Sequence, residues 1–252
     1  MSLSEWHVEL VGEEVDLKRL MEFDPASGVC ASEMDGRCYL SAVEFNKLPN
    51  AKNVRNRAIE LMKVINGAER LKHKNWRNVG VGAVIQLAAD GKKHTTVFPE
   101  TLHIRLSDDE YNRVMSGLGL PARPPSTVSS IEEFVQTAIS DAAVQKVLRM
   151  YGSCVHDWRE LSHMFEVIEE DVGGEKEIVL RGYTSGTQRS RFTGTANNEV
   201  IVGDSARHGH KKWPPHPNPM TIDEAREWFA KILEKWLKSK ASLSSTSQSP
   251  TT

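Results

Sequence analysis

Residues 157–174 read DWRELSHMFEVIEEDVGG, and the spacing of their apolar side chains decides the C-terminal half of the fold. Trp158, Leu161, Phe165, Ile168 and Val172 follow one another at intervals of three, four, three and four, which draws one narrow stripe along an α-helix. Asp157 is suited to cap its start, and Gly173-Gly174 to end it, because glycine takes the left-handed conformation cheaply. The same rhythm returns in residues 221–237, TIDEAREWFAKILEKWL, through Ile222, Ala225, Phe229, Ile232 and Trp236, with Leu233 and Leu237 widening the stripe. Thr221 and Glu224 have the spacing of a capping box. Each stripe needs an apolar partner, so the terminal helix is expected to pack on the helix of residues 157–172 and close a small all-α bundle.

Outward from that pair, Ser130 with Glu133 and then Asp141 mark the starts of two earlier helices, the second running through Val144, Val147, Leu148 and Met150. Residues 175–208 read as two or three short helices capped at Thr184 or Ser185, interrupted at Gly194 and Asn197-Asn198. Residues 213–219 hold four prolines and cannot be helical. Residues 107–129, with Gly117, Gly119, Pro121, Pro124 and Pro125, have the composition of a connector.

The N-terminal half changes period. Trp6, Val8 and Leu10 alternate with His7 and Glu9 as in a half-buried strand, and Leu17, Leu20 and Met21 follow at helical spacing. Asp35-Gly36 is a two-residue hairpin signal that sets Cys38 opposite Glu33 and Cys30 opposite Ser41, with Tyr39, Val43 and Phe45 on one face of the second strand. Val54, Ala58, Leu61, Met62 and Ile65 form a helical stripe ending at Asn66-Gly67. Val79, Val81, Ala83, Ile85 and Leu87 then alternate with Gly80, Gly82 and Gln86, and Asp90-Gly91 turns the chain back through Thr95 to Leu106. The order strand, helix, strand, strand, helix, strand, strand resembles a ferredoxin-like split βαβ unit with one extra strand. Gly80 and Gly82 suit either close approach of a ligand or packing of helix 50–66; packing is expected, since they do not open a helix as a phosphate-binding loop does.

The expected architecture is therefore α+β. A ferredoxin-like antiparallel sheet with two helices covers residues 1–125, an all-α bundle covers 126–238, and a disordered Ser/Thr-rich tail covers 239–252.

Composition narrows function mainly by exclusion. A formal charge of -2 over 252 residues argues against coating nucleic acid through bulk charge. No stretch reaches the length of an apolar membrane span, and the N-terminus lacks the basic and apolar regions of a leader. The three cysteines have no CxxC spacing, which fits a reducing, cytoplasmic compartment and core or bystander roles. No Walker A, GxGxxG or GxSxG motif occurs, and no cofactor is expected.

The chemical candidates gather between residues 189 and 213. Arg189, Arg191, Arg207, His208, His210, Lys211 and Lys212 could meet phosphates of single-stranded RNA, with Phe192 and Trp213 placed to stack on bases. The other reading is electrostatic complementarity with residues 157–177, which carry eight carboxylates. His208 and Asp204, four residues apart, could form an oriented general base; equally, Arg207, His208 and His210 could cap a helix end. The sets Cys154, His156, His163 and His208, His210, His216 have no recognised ligand spacing, so no metal is expected.

Arg207-His208-Gly209-His210, followed by a loop and by Met220 through Phe229, resembles the end of helical domains of the HEPN superfamily. There a His-Gly closes one long helix and an amphipathic helix completes a four-helix bundle. The resemblance covers about a third of the chain and implies an RNA-processing or defence-associated setting, often with dimerisation. Active members carry an Arg upstream of the His; here Ile201, Val202 and Gly203 stand in that region, which leaves an inactive, scaffold-like variant. The whole chain also resembles uncharacterised bacterial proteins. The leading expectation is a non-enzymatic interaction or scaffold module whose helical half engages a protein partner or a second copy. The alternative is RNA binding or processing through residues 189–213.

Overall fold

The computed structural model describes residues 5–24, 27–73, 75–88, 92–98, 129–153, 155–207 and 216–246. The connector at 107–128, the turn at Asp90-Gly91 and the continuation of the last strand to Leu106 lie outside them. Two compact units divide at Gln136/Thr137.

The first unit is a five-stranded antiparallel sheet in the order β2-β3-β1-β4-β5. Its strands are β1 (Trp6–Val11), β2 (Val29–Met34), β3 (Arg37–Ala42), β4 (Gly80–Leu87) and β5 (Lys93–Thr96). With α1 (Glu14–Leu20) after β1 and α2 (Ala51–Lys72) after β3, this is the split βαβ arrangement extended by β5 at its edge. Asp35 and Gly36 both have positive φ, 52° and 71°, and the hairpin register pairs Cys38 with Glu33 and Cys30 with Ser41, as expected.

Five expectations are corrected here. Strand β3 ends at Ala42 and Val43–Lys47 form a 3-10 turn, so Val43 is 48% exposed while Phe45 is fully buried. Helix α2 does not stop at Asn66-Gly67 but continues to Lys72. The Asn66 side chain turns inward instead of capping: it accepts from Trp76 Nε1 at 3.0 Å and Val79 N at 2.9 Å, and donates to Val79 O at 2.9 Å. A register shift against β1 between Val8 and Leu10 breaks the alternation of β4 and buries Val84 completely. Strand β1 is buried along its whole length, His7 and Glu9 included. His7 Nδ1 lies 2.9 Å from Ser41 Oγ, and Glu9 takes Arg37 Nη1 at 3.1 Å and Ala83 N at 3.4 Å. Gly82 therefore makes room for neither a helix nor a ligand. A Cβ there would lie 2.8 Å from Glu9 Oε2.

Helix α3 (Ser129–Ser140) crosses the division. Its residues up to Gln136 belong with the sheet: Glu132 Oε1 accepts from Asp24 N at 3.1 Å, Gln136 Nε2 donates to Ser27 O, and Lys72 lies over the Phe134 ring. The boundary therefore falls after the expected position near 125.

Among its described residues the second unit is helical: α4 (Ala142–Ser153), α5 (Trp158–Asp171), α6 (Glu175–Leu180), α7 (Gly186–Ala196), α8 (Glu199–Val202) and α9 (Ile222–Thr246). The two stripes meet as expected. Helix α9 packs on α5, with Trp228 stacked on Phe192 and tilted 5.0 Å from Phe165. The caps also fall where the sequence places them: Asp157 with Glu160, Ser185 on Gln188 N, and Thr221 with Glu224. Gly173 and Gly174 adopt φ near +101° and +102°. The tail is corrected, since α9 runs to Thr246. No helix among the described residues is long and apolar enough to cross a membrane.

Candidate functional site

Helix α7 supplies most of the cationic segment, and its sequence explains how it sits. Phe192 is its main core anchor, 1% exposed, against Trp158 at 5.9 Å and Phe165 at 5.7 Å. A ring so enclosed cannot stack on a base, which corrects the role expected for it. With Phe192 inward, Arg189 emerges beside α5 and Arg191 beside the start of α9. Gly194 faces His216; a Cβ there would come within 3.3 Å of the His216 Cβ, so glycine lets the chain entering α9 lie on α7.

Each described arginine of the segment meets a carboxylate. Arg189 Nε donates to Glu169 Oε1 at 2.6 Å and Nη1 to Glu175 Oε1 at 2.9 Å. Arg191 reaches Asn218 O at 2.8 Å, Pro219 O at 3.1 Å and Glu224 Oε2 at 2.9 Å. The Thr221 N–H and then Arg191 hold the Glu224 carboxyl below its ordinary range. Arg207 pairs with Glu166, and its N–H closes the loop onto Ala196 O at 2.9 Å. The complementarity of residues 157–177 with this segment is thus realised as ion pairs within one unit.

Asp204 lies in a 3-10 turn, Gly203–Ser205, where its carbonyl accepts from Arg159 Nη2 at 2.6 Å. Asn198 caps α8 by accepting from Val200 N at 3.0 Å. His208, His210, Lys211, Lys212 and Trp213 lie outside the described residues.

What converges is a pocket between α5 and α7 with about 60 Å³ of free volume, walled by Ser162, Glu166, Glu169, Arg189, Asn197 and Arg207. Comparison with protein-family models, curated proteins and solved structures returns no match. The site must therefore be judged on its own chemistry. Two guanidiniums face two carboxylates, so the wall is close to neutral. The Asn197 Oδ1 atom is buried with no hydrogen-bond partner among the described residues, and a buried acceptor left unmet costs about 1–3 kcal/mol.

Of the metal candidates, Cys154, His208 and His210 lie outside the described residues. His156 is buried, stacked on Tyr151 at 4.2 Å, with Nε2 2.7 Å from Tyr151 O, and no group of three or more metal-binding side chains occurs among the described residues. Burial pushes the Cys38 thiol up to about 12, ahead of the smaller effect of Glu33, which makes it a poor nucleophile.

Two features escaped the sequence reading. Glu166 and Glu169 were read only as parts of an acidic run, although their three-residue spacing sets both on the face α7 covers. The other is α8. Its Val200, Ile201 and Val202 are consecutive and apolar, yet none is buried and Val200 is 68% exposed.

Proposed function

We propose that this chain is a non-enzymatic interaction module whose helical half presents the apolar turn of α8 to a protein partner. The observation that carries the reading is a single turn of three consecutive β-branched residues, none of them buried, with Val200 exposed and Ile201 and Val202 half-buried. Such residues are weak helix formers, and leaving one aliphatic side chain in water forgoes about 1.5–3 kcal/mol of burial. The turn persists because it is clamped at both ends, by the Asn198 cap and by Gly203 at φ +61° with Arg159 on the Asp204 carbonyl. Leu180 at 78% and Val155 at 81% exposure add apolar surface to the same unit. Contiguous exposed apolar surface marks protein contact sites, and the α8 turn sets its apolar side chains at consecutive positions.

Support for the RNA reading is weaker. Phosphate binding by Arg189 or Arg191 would first have to displace carboxylates or carbonyls that already hold them, Arg207 already has its charge paired with Glu166, and the one described aromatic of the segment is in the core. The HEPN resemblance bears on the partner instead, because it implies pairing with a second copy.

The test places a photo-crosslinking residue at Val200 and, as a control, at Thr187 on the exposed face of α7. A defined adduct from position 200, absent from position 187 and abolished by Ile201→Asp, supports the module. Equal or no adducts from the two positions, together with a monomer by light scattering, sink it. Loss of partner contact on changing Arg207 to Glu, with a salt-dependent shift of single-stranded RNA, would move the assignment to nucleic acid.

A further inference from the structure

The pocket between α5 and α7 is not used by that reading, and its walls specify a ligand chemistry of their own. Glu166 and Glu169 balance Arg189 and Arg207, so a charged guest gains from one pair what it loses to the other. Both hydroxyls at the pocket have given away their single protons: Ser162 Oγ donates to Trp158 O at 2.7 Å and Thr193 Oγ1 to Arg189 O at 3.0 Å. They offer only lone pairs. Asn197 Oδ1 adds a third acceptor, buried and unmet. Opposite this surplus stand guanidinium donors, since Glu166 holds Arg207 through Nη2 and leaves Nε and Nη1 uncommitted among the described residues.

We infer that this pocket receives a small neutral carboxamide, its NH2 group donating to Asn197 Oδ1 and the neighbouring hydroxyl oxygens while its carbonyl accepts from Arg207. The free volume suits a guest of a few heavy atoms, and an amide joins both functions in one planar group, its N–H donors for Asn197 Oδ1 and the hydroxyl oxygens and its carbonyl oxygen for the open N–H groups of Arg207. A carboxylate of the same shape lacks the donors that Asn197 Oδ1 and the hydroxyl oxygens need, and what it gains from Arg189 and Arg207 it loses to Glu166 and Glu169. A free amide and the side chain of a protein-borne Gln or Asn offer the same edge.

The test is an NMR titration of the full chain with acetamide and, separately, acetate, following the Asn197 side-chain NH2 pair and Arg207 Nε–H. Acetamide should shift both saturably in the millimolar range, roughly 1–50 mM as so few heavy atoms allow, and acetate should shift neither. Asn197→Ala should abolish the saturable shift at Arg207 without lowering the melting midpoint, because Asn197 Oδ1 has no partner to lose among the described residues. A blocked glutamine binding tenfold tighter than acetamide would assign the edge to a protein side chain; equal affinities would assign it to a free amide. Acetate matching acetamide, no saturation with either, or an undiminished response in Asn197→Ala would overturn the inference, whatever the crosslinking at Val200 shows.

Discussion

Lys240 Nζ sits 2.8 Å from Asp141 Oδ2, tying the far end of α9 to the residue that caps α4 through Ala143 N and Val144 N. Asp171 Oδ1 shares the same ammonium at 2.7 Å. Burial raises the Asp141 carboxyl, but the Lys240 bond and the two capping N–H groups outweigh it, so its pKa ends below the ordinary value; Lys240 opposes its own burial with the two carboxylates and ends above. Asp141 therefore stabilises the fold above its unfolded pKa of about 4 and loses that contribution as pH falls through the lower folded value; Lys240 contributes below about 10.4 and loses it as pH rises through the higher folded value. Lys240→Met keeps the aliphatic stem and should cost about 1–2 kcal/mol, less than a fully buried pair because the groups retain some water contact. Urea unfolding of both proteins should show a difference that is steady near neutral pH and shrinks in acid below about pH 4.

That contact also shows what the sequence could and could not reveal. The stripes of α5 and α9, their caps and the Asp35-Gly36 hairpin are legible because each depends on neighbours within a few residues. The tail was misread from Ser239 because its Ser and Thr content suggests disorder, whereas Lys240 is held by Asp141 and Asp171, far back in the chain. Glu9 was misread for the same reason: alternation makes it a solvent position, but Arg37 and the bulge at Gly82 arrive from other strands. For Arg189 and Arg207 the sequence leaves a nucleic-acid surface and complementarity with residues 157–177 side by side, since nothing local says that Glu166 and Glu169 are the carboxylates that face them.

Arg189 separates the structural reading from the nucleic-acid reading. Its side chain and that of Glu169 are only 17% and 18% exposed, so Arg189→Ala strands a half-desolvated carboxylate and should cost about 1–3 kcal/mol. Arg189→Gln, which still donates to Glu169, should recover part of it. A loss of RNA binding in Arg189→Ala with unchanged unfolding free energy would contradict the ion pair's structural role.

His156 carries φ +61° before the α5 cap, a region that side chains other than Gly and Asn enter at a cost. It stays there because its ring stacks on Tyr151 and its carbonyl accepts from Arg226 Nε at 3.1 Å. His156→Ala keeps the strained backbone and loses the ring contacts, for about 1–3 kcal/mol. His156→Gly loses the same contacts but relieves the backbone by about 1 kcal/mol. Thermal unfolding should rank wild type above His156→Gly and His156→Ala last; the reverse order of the two variants would mean that the loop does not hold this conformation.

Gly82 and Glu9 should be coupled. An added methyl at Gly82 lands 2.8 Å from Glu9 Oε2 and 3.2 Å from Val11 Cγ2, so the carboxylate must leave Ala83 N and Arg37 or the strands must part. Gly82→Ala should therefore cost about 1–3 kcal/mol, as overpacking does. Glu9→Ala removes the obstructing group, and in that background the second substitution meets only Val11, which can give by a few tenths of an ångström. The double-mutant cycle should show a coupling of about 1 kcal/mol or more, the double variant being more stable than the sum of the two losses. Strict additivity would mean that Glu9 does not lie over Gly82, and the burial of a carboxylate in the central strand would then need another cause.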